Sequence, residues 1–361
     1  MSRFKNLLKN LLLFLTSCIV AWLLGEVLVL LILGEQAKFP RHVVGSSFGL
    51  RINQPNSHYR HKSADGTFWF QINSQGMRAD HDFSFAKAPG LKRIVSLGDS
   101  FTLGYEVNKE ETFSNVLEQK LRSNGINVEV LNTGVSGYSN AEELLYLERE
   151  LFKYSPDVVL LSFAPNDLED NPRTNLFKLE GGNLVEANAS YIPLGKVADF
   201  LNRNAIASFL SERSNLFVLL KERTSVFLKV TRVANNIEVF ELGQNEELRN
   251  SPSAIYQRRL AGAILERLYA DTRSRNIPLV IHSIPWPSKK GLVEMFPFED
   301  FDVHRPGISF LSAKPLLDPY IPDPKQKVFN TRSHWHYTPL AHRIVGESLA
   351  KLIPEGTFDK G

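Results

Sequence analysis

The stretch that decides the fold is Ile94-Val95-Ser96-Leu97-Gly98-Asp99-Ser100. β-Branched and aliphatic residues closed by a glycine predict a buried strand that gives way to a loop and a helix. Open α/β sheets bind their ligands just beyond the carboxyl ends of such strands. The hydroxyl of Ser100 therefore occupies a position where a nucleophile is usually held, although a turn serine that caps the next helix has the same local pattern.

Two more predicted strands end in polar loops. Residues 128–131, Val-Glu-Val-Leu, predict a strand that runs into a glycine-bearing loop over residues 132–138. Glycines in such a loop allow backbone N–H groups to turn toward a bound group. Residues 158–163 predict a third strand, and Asn166 follows it closely. The carboxyl ends of these strands should meet at one edge of a parallel sheet.

The last polar position lies far downstream, at His336. Thr338 suits the N-cap of the helix that follows, and Pro339 suits its first position. His334, His336 and His342 also suggest a shared metal ion, but no carboxylate cluster accompanies them in the sequence. We therefore expect neither a metal nor another cofactor.

In this order and with these residues, the chain resembles the SGNH (GDSL-type) hydrolases, named after a serine, a glycine, an asparagine and a histidine in four sequence blocks. The resemblance covers about residues 90–352. It implies an α/β fold with a three-layer αβα, flavodoxin-like sheet. It also implies that Ser100 is the nucleophile and His336 the general base. The N–H groups of Ser100 and Gly137 and the side-chain amide of Asn166 would form the oxyanion hole.

The sequence departs from the family pattern at two places. Ala164 stands where a glycine usually opens the asparagine block. The family's aspartate, two or three residues before the catalytic histidine, is replaced by His334 or Ser333. An aspartate at that position fixes the tautomer of the histidine and stabilises the imidazolium.

Three alternatives follow from the missing aspartate. A backbone carbonyl could orient His336, which would leave a Ser-His dyad. Asp318 or Asp323 could fold back to it and complete a non-standard triad. In the third alternative the chain is a catalytically weakened member of the family.

The amino end predicts a membrane-spanning helix over residues 11–33. Its length suffices for the roughly 20 residues that cross a bilayer. The preceding segment, residues 1–10, is basic because it holds Arg3, Lys5 and Lys9. Positive flanks tend to stay in the cytoplasm, so we expect the large domain to be periplasmic or extracellular.

Two other fates of this segment are considered. A cleaved signal peptide fits less well, because the apolar stretch is longer than the usual core and no small-residue cleavage site follows. Residues 15–18, Leu-Thr-Ser-Cys, resemble a lipobox with Cys18 as the acylated residue, but the chain continues apolar beyond it. Glu26 is unusual in a spanning helix. It would pair with a partner helix, lie near the outer interface or simply be tolerated.

Composition excludes several classes of protein. The net charge of +3 equals the three basic residues before the predicted membrane helix, so the remaining domain lacks the basic surplus of a nucleic-acid-binding protein. Cys18 is the only cysteine, which rules out disulfides and zinc-thiolate sites in the large domain.

The large domain is expected to have two parts. Residues 35–90 predict a lead-in segment with short β elements, in which residues 73–78 resemble a segment that often precedes the serine block in membrane-anchored bacterial members. Residues 91–352 then alternate strands with helices, the helices lying near residues 110–123, 140–153 and 254–274, and a further strand covers residues 279–283. Residues 171–250 are too long for a simple connection and predict an amphipathic helical insertion that packs as a cap or serves as a lid.

These observations favour a serine esterase or acyl hydrolase. Since the domain is expected to be exported and tethered, its ester substrate would be an O-acyl, most simply O-acetyl, group of an envelope or extracellular glycan. An O-acetyltransferase of a surface polysaccharide, supplied by a membrane protein partner, is the first alternative. A non-catalytic glycan-binding or assembly protein on the same fold is the second.

Overall fold

The computed structural model describes residues 2–34, 43–63, 65–192, 204–230, 251–288, 291–323, 325–331, 335–353 and 355–358. Four segments on which predictions fall lie outside the described residues. They are residues 35–42 of the lead-in segment, residues 193–203 and 231–250 of the insertion, and residues 332–334, which include Ser333 and His334.

The strands are, in chain order, β1 Val43–Gly45, β2 Arg51–Asn53, β3 His58–Ser63, β4 Gly66–Gln71, β5 Lys92–Leu97, β6 Val128–Asn132, β7 Val158–Phe163, β8 Phe177–Glu180, β9 Asn183–Glu186, β10 Leu279–Ser283, β11 Trp286–Ser288, β12 Gly291–Val293 and β13 Ile308–Ser312. The helices are α1 Ser2–Leu33, α2 Ser100–Leu103, α3 Phe113–Ser123, α4 Asn140–Arg149, α5 Asp167–Thr174, α6 Ala205–Arg213, α7 Asn215–Val230, α8 Pro252–Ser274, α9 Lys314–Leu317 and α10 Pro339–Leu352.

A five-stranded parallel sheet lies at the centre, in the order β13-β10-β7-β5-β6. The direction in which the chain adds strands reverses between β5 and β7, as in flavodoxin-like sheets, and ligands bind in the crevice at such a switch point. Four of the five strands coincide with the strands predicted from the sequence. The edge strand β13 was not predicted, because its sequence, Ile-Ser-Phe-Leu-Ser, has neither a continuous apolar run nor a strict alternation of apolar and polar residues.

Side chains alternate between the two faces of this sheet, as the two-residue period of a strand requires. Val95 and Leu97 of β5 face one core, which is completed by α4, α5 and α8. Ile94 faces the opposite core, which is completed by α3 and α10. The predicted three-layer αβα, flavodoxin-like architecture is confirmed.

The predicted helices are present, with two corrected boundaries. The helix expected near residues 110–123 begins at Phe113, because residues 109–111 form a separate 3₁₀ turn and Thr112 caps α3. The helix expected over residues 140–153 ends at Arg149, since Glu150 leaves the helical conformation with φ −132° and the chain continues as a 3₁₀ turn over Leu151–Tyr154. Thr338 caps α10, accepting a hydrogen bond from Ala341 N, and Pro339 takes the first helical position, as predicted.

The amino-terminal helix α1 is longer than its apolar part and includes the basic residues before it. Residues 3–33 are long and apolar enough to cross a membrane, with a mean hydropathy of 2.4 over the most apolar window. A membrane anchor and a signal sequence both fit this helix. The lead-in segment forms two antiparallel hairpins, β1-β2 and β3-β4, and the insertion contains the β8-β9 hairpin and the helices α6 and α7.

Candidate active site

The structure joins Ser100 directly to His336. Nε2 of His336 lies 2.8 Å from Oγ of Ser100, although 236 residues separate them in the chain. Both side chains are half-buried. A histidine nitrogen at this distance can accept the hydroxyl proton, which is the arrangement that an activated serine needs.

Ser100 is held by the turn between β5 and α2. Oδ1 of Asp99 accepts a hydrogen bond of 2.9 Å from Phe101 N, so Asp99 caps the short helix that Ser100 begins. The N–H of Gly104 bonds to the carbonyl of Ser100 at 3.1 Å and closes the turn. The position of Ser100 is thus fixed by both ends of α2.

His336 is held between aromatic rings and by its own loop. Its ring lies 4.9 Å from that of Phe101 and 4.6 Å from that of Tyr105. The carbonyl of His336 accepts a hydrogen bond of 2.8 Å from Asn330 N, and Trp335 N donates to Asn330 O at 3.0 Å. These contacts set the direction in which the imidazole faces Ser100.

The loop that contains Gly137 is attached to the strand ends. Val135 N donates to Gly98 O at 3.2 Å, which brings the loop beside the turn that carries Ser100. Gly134 permits this approach, since a Cβ atom there would lie 2.2 Å from the backbone nitrogen of Leu103. Gly137 itself adopts a left-handed conformation, with φ +73°, that favours glycine.

Asn166 lies near Ser100 because its side chain bonds to Asp99, the residue before Ser100. Its Nδ2 donates to Oδ2 of Asp99 at 3.2 Å and to Oδ2 of Asp170 at 3.1 Å. The amide therefore lies beside the turn of the nucleophile, but in this structure its two hydrogens are directed to carboxylates. Ala164, in place of the usual glycine, is fully buried in the core and its N–H bonds to Oδ2 of Asp167 at 2.8 Å.

A buried acidic cluster lies behind Asn166 and consists of Asp99, Glu143 and Asp167. The amide of Asn140 bridges Glu143 and Asp167, at 3.0 and 3.1 Å. Burial raises the pKa of Asp99 to about 6. Burial also holds the pKa of Glu143 well above its ordinary value, and burial together with the charge of Glu143 does the same for Asp167. The cluster thus favours protonated carboxyl groups.

The lead-in segment holds two loops of the site, the loop that carries Tyr105 and the loop that carries Gly137. Arg78 is buried and donates to the carbonyls of Leu103 and Val107, each at 2.6 Å, and also to that of Gly104. It therefore holds the loop that carries Tyr105. The sequence analysis singled out residues 73–78 but assigned no role to Arg78.

A second pair of lead-in residues holds the loop of Gly137. Arg51 donates to the carbonyl of Gly137 and forms an ion pair with Glu142 at 3.1 Å. Asn53 Nδ2 donates to Gly134 O at 2.9 Å. The strand β2, which contains both residues, is thereby tied to the proposed oxyanion loop.

The two distant carboxylates proposed to orient His336 have other partners. Asp318 forms an ion pair with Lys314, and Oδ1 of Asp323 accepts a hydrogen bond of 2.8 Å from Lys325 N. Within the described part of the chain, no contact brings either one to His336. The family's own positions for the acid, at residues 333 and 334, are outside the described residues.

The third histidine of the carboxyl-terminal segment is structural. His342 is buried in α10, and its Nδ1 accepts a hydrogen bond of 3.1 Å from Phe113 N. Burial lowers its pKa well below the ordinary value, so the ring is neutral. Among the residues that the structure describes, no group of three or more His, Cys, Asp or Glu side chains could hold a metal ion.

Comparison with known sequences decides the family. Residues 96–314 match the GDSL-like lipase/acylhydrolase family, a range that covers more than half of the chain and includes Ser100, Gly137 and Asn166. The chain belongs to this family. His336 lies beyond the matched range, so its assignment depends on the 2.8 Å contact with Ser100. The chain is accordingly a member of a family of esterases and acylhydrolases.

Individual relatives are more distant. An arylesterase from Vibrio mimicus is 30% identical over 82 residues, which is 23% of this chain and 41% of the arylesterase. The chain thus spans less than half the length of this relative. Among solved structures, a putative lipolytic protein of the G-D-S-L family from Desulfitobacterium hafniense DCB-2 is 13% identical, with 72% of this chain and 99% of that chain covered and a TM-score of 0.36. The esterase EstA from Pseudoalteromonas sp. is 14% identical, with 73% and 96% covered and a TM-score of 0.37.

Proposed function

We propose that this protein is a serine ester hydrolase in which Ser100 is the nucleophile and His336 the general base. The observation that carries the proposal is the 2.8 Å contact between Ser100 Oγ and His336 Nε2. Oγ attacks the ester carbonyl carbon while its proton passes to Nε2. The proton then passes to the leaving alkoxide as the C–O bond breaks, which leaves an acyl-serine and a free alcohol. Water, deprotonated by the same nitrogen, releases the acid and restores Ser100.

The oxyanion of each tetrahedral intermediate would be stabilised by three N–H donors. We assign them to the backbone of Ser100, the backbone of Gly137 and the side chain of Asn166. Asn166 must then exchange one carboxylate partner for the oxyanion, and its 3.2 Å bond to Asp99 is the longer of the two. Catalytic hydrogen bonds often form fully only once substrate is bound.

The substrate proposed is an O-acetylated glycan outside the cytoplasm. Trp335 supports a sugar-like ligand, because its side chain is 41% exposed directly beside His336 and is held at φ +59°, a costly conformation for a large residue. The proposed exported location is supported by the apolar helix α1 and the basic residues at its start.

The experiment uses the full-length chain in detergent, a chromogenic acetyl ester and a serine-reactive fluorophosphonate. The wild-type chain should show both turnover and labelling, and Ser100→Ala should show neither. Ser123→Ala, which changes an exposed serine at the end of α3, serves as the control and should behave as wild type. Labelling with little hydrolysis, but rapid acetyl transfer to an added sugar, would point to the transferase instead. If a folded wild-type chain shows neither turnover nor labelling, the remaining alternative is a non-catalytic glycan-binding protein.

The location is tested separately. A reporter that is active only outside the cytoplasm, fused after residue 40, should be active. The full-length chain should stay in the membrane after alkaline extraction. Release of a shorter soluble species would mean that α1 is a cleaved signal.

A further inference from the structure

The apolar helix α1 carries one carboxylate within its apolar stretch, at Glu26. This carboxylate accepts hydrogen bonds from the hydroxyl of Ser214 and from the backbone N–H groups of Asn215 at 2.9 Å and Leu216 at 3.3 Å. These groups form the start of α7, where the first N–H groups of a helix have no partner inside the helix. Glu26 therefore acts as the cap of a helix 190 residues away in the chain.

Close apolar packing surrounds this polar contact. A Cβ atom at Gly25 would lie 2.7 Å from a methyl carbon of Leu216, so the glycine lets α7 approach α1 closely. Val218, two residues further along α7, is only 1% exposed. The two helices thus fit one another through both a polar and an apolar contact.

The position of Glu26 in α1 sets the depth at which α7 begins. Glu26 lies seven residues before Leu33, about 10 Å along the helix axis. The apolar stretch over residues 11–33 is about 34 Å long, slightly more than the roughly 30 Å hydrocarbon core of a bilayer. Glu26 and the start of α7 therefore lie within or at the edge of the outer leaflet. A carboxylate at that depth requires donors, and α7 supplies them.

The helices α6 and α7, and the part of α1 beside them, expose large apolar side chains. Ile206 and Phe209 of α6 are 71% and 61% exposed, and Leu220 of α7 is 52% exposed. The apolar residues of α1 next to Glu26, Val27 and Leu28, are also more than half exposed. Acyl chains of the lipid that surrounds α1 are the apolar medium continuous with this surface.

We propose that α6 and α7 form an interfacial helix pair, bound to a retained α1 through Glu26, whose exposed apolar side chains are covered by acyl chains of the outer leaflet. The proposal rests on the membrane location given under Proposed function. Its consequence is that the site is held at the bilayer surface, because α6 packs against β3. His61 of β3 lies 4.7 Å from the ring of Tyr105, which in turn contacts His336.

Cysteine labelling of the full-length chain tests the contact with lipid. Because Cys18 is the only cysteine, Cys18→Ala gives a cysteine-free background. Phe209→Cys and Leu220→Cys are compared with Ser123→Cys, an exposed position on α3. Each variant carries a nitrobenzoxadiazole label in vesicles of phosphatidylcholine and phosphatidylglycerol without any other protein.

Labels at positions 209 and 220 should be quenched by doxyl-labelled lipid and should emit at shorter wavelength, and the label at position 123 should show neither change. Unmodified Phe209→Cys should react about tenfold more slowly than Ser123→Cys with a membrane-impermeant maleimide, as its side chain partitions into lipid. Equal reaction rates without quenching would overturn the proposal. Protection only in native membranes, and not in these vesicles, would overturn it in favour of a membrane protein partner.

A second set of variants tests the contact between Glu26 and α7. Glu26→Ala should increase the maleimide reactivity of Phe209→Cys and the protease sensitivity of residues 204–230, whereas Thr16→Ala, another polar residue of α1, should leave both unchanged. No effect of Glu26→Ala would show that the cap does not hold the helices. Ester turnover is measured in the same vesicles. Turnover without quenching defeats this inference alone, and quenching without turnover defeats the hydrolase proposal alone.

Discussion

Ser100 and His336 reach the same hydrogen bond by different structural routes. Ser100 lies at the end of β5, next to the reversal in strand order, and its turn is capped by Asp99. His336 arrives from a loop far downstream, and rings of Phe101 and Tyr105 position it. The nucleophile side is thus built by the topology of the sheet, and the histidine side by packing between distant segments. Substitutions on the two sides should therefore fail in different ways.

The largest expected effect comes from the histidine. His336→Ala should lower kcat for an acetyl ester by about 10⁴-fold or more, because Ser100 then lacks a base to remove its proton. His342→Ala should leave kcat largely intact and lower the melting temperature, because it removes the acceptor of the buried Phe113 N–H. Steady-state kinetics and thermal unfolding of both variants separate these outcomes. If folded His342→Ala loses as much kcat as His336→Ala, His342 is not merely structural and the contrast between the two histidines is wrong.

The second largest effect on kcat is expected at the proposed oxyanion hole. Asn166→Ala should lower kcat by about 10²–10³ with little change in KM, the range for loss of one oxyanion donor. Asn171→Ala serves as a control in the same helix, since Asn171 is buried and bonds to Ala141 N on the side of α4. A raised KM with normal kcat in Asn166→Ala would mean that the amide binds ground-state substrate.

The positions of the three strand-end loops were predictable from the sequence for a local reason. Each strand is a short apolar run, and the polar residue follows within a few positions, so that parallel topology alone collects them at one edge. The partners of Arg78, Arg51 and Glu26 were not predictable in this way, although pairing of Glu26 with another helix was one of the alternatives given by the sequence. Each joins segments that are far apart in the chain, and no spacing or periodicity specifies such a pairing.

The helix boundaries show the same limit on a smaller scale. The cap at Thr338 and the proline after it are local signals, and the start of α10 follows them. The end of α4 at Arg149 depends on where Glu150 leaves helical geometry, for which the sequence carries no glycine or proline signal. The half-buried edge strand β13 was missed because its mixture of apolar residues and serines does not differ from that of a surface loop.

Substitution of Arg78 tests whether the loop after α2, which carries Tyr105, connects the Ser100 side of the site with the His336 side. Arg78→Lys loses the planar fork that binds the carbonyls of Leu103 and Val107, and each buried carbonyl left without a donor costs about 1–3 kcal/mol. The melting temperature should fall by several degrees, and kcat should fall with it as Tyr105 shifts against His336. Arg343→Lys, at an exposed arginine on α10, should change neither. Unchanged stability of Arg78→Lys would show that the loop holds without the guanidinium.

The buried acidic cluster predicts a dependence of stability on pH. The folded state raises the pKa of Glu143, so it binds a proton more tightly than the unfolded state does. The stability gained from this proton is complete below the ordinary pKa of about 4.5 and is lost as the pH rises through the folded value. Glu143→Gln cannot titrate, so its melting temperature should exceed that of wild type at pH 8 and approach it at pH 4.5. Each unit of pKa elevation corresponds to about 1.4 kcal/mol.

The control for this prediction is Glu110→Gln, at a glutamate that is 66% exposed. Its melting temperature should follow that of wild type at both pH values. Glu143→Gln should still lose some stability as the pH rises, since Asp99 and Asp167 also have raised pKa values. A variant whose melting curve shifts equally at pH 4.5 and pH 8 would show that Glu143 contributes by packing and not by its proton.

The smallest effect is expected where the family's acid is missing. His334→Asp places a carboxylate two residues before His336, where it could accept the Nδ1–H bond and stabilise the imidazolium that forms as Ser100 is deprotonated. Activity should be maintained or rise modestly, because another group must already orient His336 if the wild-type enzyme is active. His334→Ala, the matched control, should lower kcat far less than His336→Ala, and kcat across pH 5–9 measures both. If folded His334→Ala is instead as inactive as His336→Ala, both imidazoles take part in the chemistry, and the histidine side of the site cannot be a single base held by Phe101 and Tyr105.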